Sequence, residues 1–336
     1  MSSTAGGRPT IYDVAQAAGV SKSLVSLVLQ GSPRVSESRR EAVQHAIDKL
    51  GYQPSRAAST LAGAATRTIG VVIDDYRNLW FVDLLRGLQG VLEQRGFRIA
   101  VVDSELNSQV DASPLDGFIS LRVDGIVIAA EPTENMRPVE GIPVVMAGNR
   151  ASRVAGSDAV ADDDFAGGRM ATDHLLGLGH RHIGHMTADG ESARLRARAY
   201  AECMDSAGLD APMVHAGGGA SEENGYRTAR ELLDSFPELT AVFASNDTMA
   251  MGALAAAREA GRRVPEDLSI IGYDNSPLAG SHLLDLTTVD DHSERVGDEA
   301  ARFLLSRMDS PERKPREKYV TPHLVARSST APPRSA

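Results

Sequence analysis

The chain has one cysteine in 336 residues, one tryptophan, and only 4% aromatic side chains. A single cysteine, Cys203, closes no intramolecular disulfide and builds no cysteine-rich zinc site. That economy suits a reducing compartment. Long apolar runs are missing as well: nothing approaches the roughly 18 residues of a membrane-spanning helix, and the polar opening MSSTAGGRPT carries no apolar signal core. These absences together point to a cytoplasmic protein with no membrane partner.

Catalytic signatures are equally scarce. There is no G-x-S-x-G elbow, no G-x-x-x-x-G-K loop and no H-E-x-x-H pair. Gly217 to Gly219 lack the spacing of a phosphate cradle. His180, His182 and His185 straddle a turn and an entering strand, where alternate side chains diverge, so no metal is expected there; no cofactor is expected either. The tail RSSTAPPRSA contains no leucine heptad, which argues against a tetramer-forming helix.

What is present is ordinary globular composition, 42% hydrophobic and 24% charged, with length for two or three domains. The net charge of -10 conceals an asymmetry: residues 1 to 66 carry 7 basic against 4 acidic side chains, the remainder 28 against 41. Attraction to nucleic-acid phosphates is therefore confined to the N-terminal segment.

That segment reads as three short helices. Thr10 caps the first with Asp13 three residues on, Val14, Ala17 and Ala18 form its buried face, and Gly19 ends it. Ser21 caps the second, in which Leu24, Val25, Val28 and Leu29 are expected inward and Lys22, Ser23, Ser26 and Leu27 outward. The third follows Pro33, with Ser36 as its cap, Val43, Ala46, Ile47 and Leu50 as its stripe, and Gly51 at its end. A second helix that presents small polar and cationic residues in its first turns suits the DNA major groove, where Lys22 and Ser23 meet base edges first.

From Thr10 to Gly63 the chain resembles the DNA-binding head of the lac repressor family, in IYDVAQAAGVS, RVSESRREAVQHAIDKLGYQPS and RAASTLAG, and the likeness continues to VARSSTAPP. The resemblance implies a helix-turn-helix head over 9–54, a hinge helix over 55–64, and a body over 68–336. That body would be a two-lobed α/β unit of the periplasmic-binding-protein type 1 kind, with doubly wound parallel sheets. Its first lobe would take about 68–161 and 291–319, its second about 162–289 and 321–330. The resemblance assigns DNA contact to Tyr12, Ser21, Lys22, Ser23, Ser26 and Leu27 in the head, and to Arg56, Ala58 and Leu61 in the hinge. Leu61 would enter the minor groove at a CG-like centre of an inverted-repeat operator, read by a homodimer. Leu27 departs from the family, whose heads commonly place an arginine there.

The body's own pattern agrees. Apolar runs TIGVVI, RIAVVDS, GIVIAA and PVVMAG alternate with helical stretches, as parallel strands with crossover helices do. HIGHM, PMVH, TAVFAS and LSIIGYD make a second series, separated by helices over Leu195–Ala207, Glu222–Leu233 and Thr248–Ala260. The segment from Asn107 to Phe118 is shorter than the family it resembles usually has before the third strand, so one helix of the first lobe is expected to be abbreviated. Ligands of such sheets sit outside the carboxyl ends of the strands. There the sequence places Asp74, Asp75, Asn78, Trp80 and Phe81, then Asn246 with Asp247, then Asp274 with Asn275. Carboxylates and amides bond adjacent hydroxyls, and an aromatic face covers a sugar ring. The segment SARLRARAY resembles the family stretch whose arginine binds effector, here Arg196. The effector set is thus Asp75, Trp80, Phe81, Arg196, Asn246 and Asp274, with Trp80 on the ring face and a sugar the expected ligand. The function expected is a ligand-controlled transcriptional repressor. A soluble sugar-binding protein of transport or chemotaxis is the alternative, and a sugar-acting enzyme comes third.

Overall fold

The computed structural model describes residues 9–29, 32–52, 66–104, 106, 113–134, 136–137 and 139–334. They fall into two units, Met1–Thr66 and Arg67–Ala336. The hinge over 55–64, with Arg56, Ala58 and Leu61, lies outside the described residues.

In the first unit, α1 (Ile11–Ala18) starts at a reciprocal capping box between Thr10 and Asp13 and ends at Gly19, where φ of 63° favours glycine. Ser21 precedes α2 (Lys22–Leu29) and accepts the Leu24 N–H at 3.2 Å through its Oγ. A third helix, α3 (Glu37–Leu50), closes the core of Val14, Ala15, Val25, Val28, Val35, Val43, Ala46 and Tyr52. Two expectations change. Ala17 is exposed and Ala15 is buried in its place, because Ile11, Val14, Ala15 and Ala18 are the positions that share one stripe at 100° per residue. Leu29 is exposed too, since the last residue of α2 lies past the cover that α1 and α3 provide.

The body's first lobe is a parallel sheet built from β1 (Thr68–Ile73), β2 (Arg98–Asp103), β3 (Gly125–Ala129), β4 (Val144–Ala147), β5 (Asp158–Asp162) and β11 (Glu317–Val320), in the order β11-β5-β4-β3-β1-β2. Val71 and Ile73 of β1 enter one apolar cluster and Val72 between them enters another, so this central strand is apolar on both faces, as a strand covered on both sides must be. One face packs under α4 (Trp80–Gln94) and α10 (Ser293–Asp309), the other under α5 (Pro114–Leu121). The helix before β3, α5, runs for eight residues.

The second lobe has the order β7-β6-β8-β9, from β6 (Ile183–Thr187), β7 (Met213–His215), β8 (Ala241–Ala244) and β9 (Ser269–Ile271). Around it run α6 (Asp164–Gly177), α7 (Glu191–Ser206), α8 (Glu222–Ser235) and α9 (Asp247–Glu259). The chain passes between the lobes after β5, again at β10 (Thr288–Asp290), and again between β11 and β12 (His323–Val325); β10 and β12 pair antiparallel.

Two strand ends hide from sequence reading. β5, with sequence DAVAD, is buried throughout although aspartates bound it, because Arg307 at 2.7 Å and Arg316 at 3.0 Å hold the Asp158 carboxylate. Those two guanidiniums keep Asp158 below the usual carboxylate range even against the cost of its burial. His180 and His185 also part company. The His180 ring bonds Thr240 and Ser269, whereas His185 packs between Tyr200 and Phe243, where burial lowers its pKa to about 3. No helix among the described residues is long and apolar enough to cross a membrane.

Candidate effector site

The carboxyl ends of both sheets face one cavity of about 300 Å³, at the lower end of the range of small-molecule sites. β1 leads into Asp74 and Asp75, β3 into Glu131, β4 into Arg150, and β5 ends on Asp162; from the second lobe come Asp189 after β6, Ser245 and Asn246 after β8, and Asp274 after β9. All six effector residues named from the sequence, Asp75, Trp80, Phe81, Arg196, Asn246 and Asp274, line this cavity.

Their roles within it differ. Arg196, projecting from α7, is buried at the centre of the site. Its Nε donates to Asp164 at 2.6 Å, its Nη1 donates to the Ser245 carbonyl at 2.7 Å, and Nη1 lies 3.4 Å from Asp274. The guanidinium stacks 3.5 Å over the Tyr273 ring. Tyr273 in turn donates to Asp162 at 2.7 Å. Gly167 and Gly168 of α6 make room for this arrangement, since a Cβ at Gly168 would stand 2.9 Å from Arg196 Cα.

Four buried acids, Asp162, Asp164, Asp274 and Asp291, surround that single arginine. Burial raises Asp162 and Asp274 well above the usual carboxylate range, and it pushes Asp291 up to about 7. The neighbouring carboxylates add to the effect at each of them.

Trp80 is placed otherwise than expected. Its indole Nε1 donates to Asp291 at 2.5 Å, its ring meets Phe81 edge-on at 5.1 Å, and the Arg150 guanidinium lies over it at 5.7 Å. It belongs to the core of the first lobe as much as to the cavity wall, and a cation already occupies part of the face assigned to a sugar ring. Asn246 caps α9, accepting the Met249 N–H at 2.8 Å through Oδ1, which leaves its Nδ2 as the donor for a ligand. Asp75 is engaged by Arg77 at 2.9 Å.

The strand-end rule could have found more. Glu131 follows GIVIAA directly, and Arg150 closely follows PVVMAG, so both carried the signal that picked out Asp75. Asp162 did not, because the strand before it was unread. Glu131 spans the cleft: its Oε1 accepts the Glu191 N–H at 3.1 Å in the first turn of α7, and its Oε2 accepts the Ala151 N–H at 3.0 Å. With Asp74, Asp75, Glu131, Asp162, Asp189, Glu191 and Asp274 against Arg150 and Arg196, the lining repels anions and suits a neutral polyhydroxylated ligand.

The head has its own exposed group. Lys22 reaches back over Tyr12, with Nζ 4.9 Å from the ring centroid and 3.3 Å from the hydroxyl. Tyr12 is 64% exposed and Leu27 39%; Ser21, Lys22 and Ser23 are exposed beside them, and Ser26 is half-buried.

Residues 10–55 match the bacterial regulatory proteins of the lacI family, and residues 172–330 match the periplasmic binding protein-like domain. Over 328 residues the chain is 34% identical to the ribose operon repressor of Escherichia coli (strain K12), spanning 95% of this chain and 99% of that protein. Among solved structures it is similar to the complex of the transcriptional regulator CelR with cellobiose, at 31% identity over 96% of this chain and 100% of that one, with a TM-score of 0.69. It is also similar to the lac repressor dimer bound to operator and the anti-inducer ONPF, at 25% identity over 97% and 100% of the two chains, with a TM-score of 0.79. These relatives are transcriptional regulators rather than enzymes. The fold read from the sequence, a helix-turn-helix head followed by a two-lobed α/β body, is the one these comparisons give.

Proposed function

Since the chain belongs to the lacI family of bacterial regulatory proteins and is a DNA-binding transcriptional regulator, we propose that it is a cytoplasmic, homodimeric repressor whose operator affinity is set by a sugar in the body's cavity. One observation carries the effector reading: polar groups at the strand ends of both lobes converge on a single cavity. A ligand touching both lobes favours the arrangement that brings them together, and that differential affinity is what shifts an operator-binding equilibrium. Relatives that carry cellobiose or govern ribose genes support a sugar. So does the acid-rich lining, which disfavours a phosphorylated ligand. The head at residues 10–55 favours a regulator over a binding protein of transport. The cavity serves binding and not catalysis in this reading.

Within the cavity Asp274 and the Asn246 Nδ2 take hydroxyls, while Arg196 holds Asp274 and Asp164 in place. Asp75, Phe81 and the free part of Trp80 complete the wall. Calorimetry with neutral sugars, cellobiose and ribose first, tests this. Asp274→Asn is expected to weaken the ligand that binds by about tenfold or more, because a buried partner then loses its charge-assisted bond. Unchanged affinity would place the effector elsewhere.

In the head, Tyr12, Ser21, Lys22, Ser23, Ser26 and Leu27 form the proposed major-groove face, and Arg56, Ala58 and Leu61 the hinge contacts at the centre of an inverted repeat. Leucine makes no bidentate bond to guanine but touches a thymine methyl. Selection from random DNA is therefore expected to return half-sites with weak guanine preference opposite Leu27, and Leu27→Arg should sharpen it. An invariant guanine there, insensitive to Leu27→Ala, would contradict this assignment.

A further inference from the structure

We infer that Asp290, His292 and His323 form a binding site for a divalent transition-metal ion, zinc by preference, on the strand pair that carries the chain between the lobes. Asp290 ends β10 and stands directly opposite His323 in the antiparallel ladder with β12. Cross-strand neighbours of that kind have side chains in contact reach. His292, two residues on, adopts φ 57° and ψ 45°, a left-handed conformation that non-glycine residues seldom take. With the backbone so turned, its ring lies against His323, with centroids 4.7 Å apart and His292 Nε2 3.1 Å from His323 Nδ1.

The chemistry of this set is that of a borderline-soft cation. Two imidazoles and a carboxylate are common zinc donors, and Zn–N bonds of about 2.0–2.1 Å put neighbouring ligand nitrogens roughly 3.0–3.4 Å apart. The two histidine nitrogens already have that spacing. One ligand atom from each of the three residues lies within 4.8 Å of the others, so the three donors converge on one place. Asp290 has partners that orient it: Asn275 Nδ2 donates to its Oδ2 at 3.0 Å, and the His292 N–H donates to its Oδ1 at 2.7 Å. Support of that kind around a ligand is what tunes metal sites. The His323 side chain is 52% exposed, which leaves an entrance for the ion and a coordination position for water.

The placement gives the ion a consequence. β10 and β12 both lie at crossings between lobes, so one ion joins two crossings. Asn275 adjoins Asp274 of the effector cavity, and Asp291, next to Asp290, accepts the indole N–H of Trp80. An ion bound behind the cavity therefore stiffens the elements on which the lobes turn, and it acts from outside the sugar-binding groups.

Zinc titrated calorimetrically into the chelator-treated, tag-free full chain is expected to bind with one equivalent per chain and a Kd on the order of micromolar or tighter. His323→Ala and His292→Ala should each weaken it by about tenfold or more. His215→Ala serves as the control, because His215 lies 3.3 Å from Asp189 in a separate cluster and its loss should leave the binding in place. Cobalt provides a second readout: visible ligand-field absorption in the parent, absent in His323→Ala. If near-ultraviolet circular dichroism shows that the alanine variant is misfolded, His323→Gln takes its place. No saturable zinc binding, or binding of equal strength in the parent and both histidine variants, overturns the site.

Discussion

Arg196→Ala is expected to destabilise the body by about 3–5 kcal/mol, the usual consequence of removing one partner from a buried ionic cluster. Arg196 is the cation among Asp162, Asp164, Asp274 and Asp291, and its guanidinium also satisfies the Ser245 carbonyl and covers Tyr273. Without it the buried carboxylates face one another with no cation between them. The deficit should depend on pH, and its sign follows from linkage. Asp274 and Asp291 have folded-state pKa values above the unfolded one, so the stability they contribute is fully present below the unfolded value of 3.8 and is lost as pH rises through the folded value, about 7 for Asp291. Arg196 lowers both folded values, so its removal raises them, carries the loss on to higher pH and makes charging costlier. Urea melts of parent and variant should accordingly differ least near pH 4 and most above pH 7. A difference that stays flat or shrinks as pH rises would show that Arg196 does not neutralise this cluster. Because the same change disturbs Asp274, effector binding should fail with stability, which makes Asp274→Asn the cleaner probe of the ligand.

Gly252→Ala is expected to cost about 3 kcal/mol, at the upper end of overpacking effects. Helices α8 and α9 cross where Gly225 and Gly252 meet backbone to backbone. A Cβ at Gly252 would run into the Glu222 carbonyl and the Tyr226 amide, and would stand 2.7 Å from the Gly225 carbonyl carbon. Those are main-chain atoms inside helices, so they cannot turn aside as a flexible side chain does. The helices must separate, and with them the packing of Ala229, Leu232, Ala253 and Ala256 in the core of the second lobe. α9 begins at Asn246 on the cavity wall, so the loss should also reach the ligand. Gly177→Ala is the matched control: it is helical and exposed, with nothing within 4 Å of the added methyl, and it should be neutral or slightly stabilising. Thermal melts that place Gly252→Ala with Gly177→Ala would mean that the helix crossing is looser than described.

The parts of this protein that local chemistry governs were legible in its sequence. Caps at Thr10 and Ser21, stops at Gly19 and Gly51, and the apolar runs of β1, β3, β4 and β8 depend on residues a few positions apart, so a one-dimensional reading captures them. The cavity was legible for a related reason: in a parallel sheet the residue after a strand faces the ligand crevice whatever its partners are, and this alone reached Asp75, Asn246 and Asp274. Other features came only with the tertiary structure, because they rest on contacts between residues far apart in the chain. β5 is a buried strand because Arg307 and Arg316, about 150 residues away, neutralise its first aspartate. Trp80 is drawn into the core by Asp291, 211 residues on, and loses part of the role its position suggested. Glu131 bridges the lobes to the first turn of α7. His292 and His323 become neighbours only where two crossings pair as strands. Periodicity reports which face of an element is buried. It carries no information about which distant charge makes that burial tolerable, and in this protein the long-range pairing of charges decides both the interior of the cavity and the chemistry of the crossings behind it.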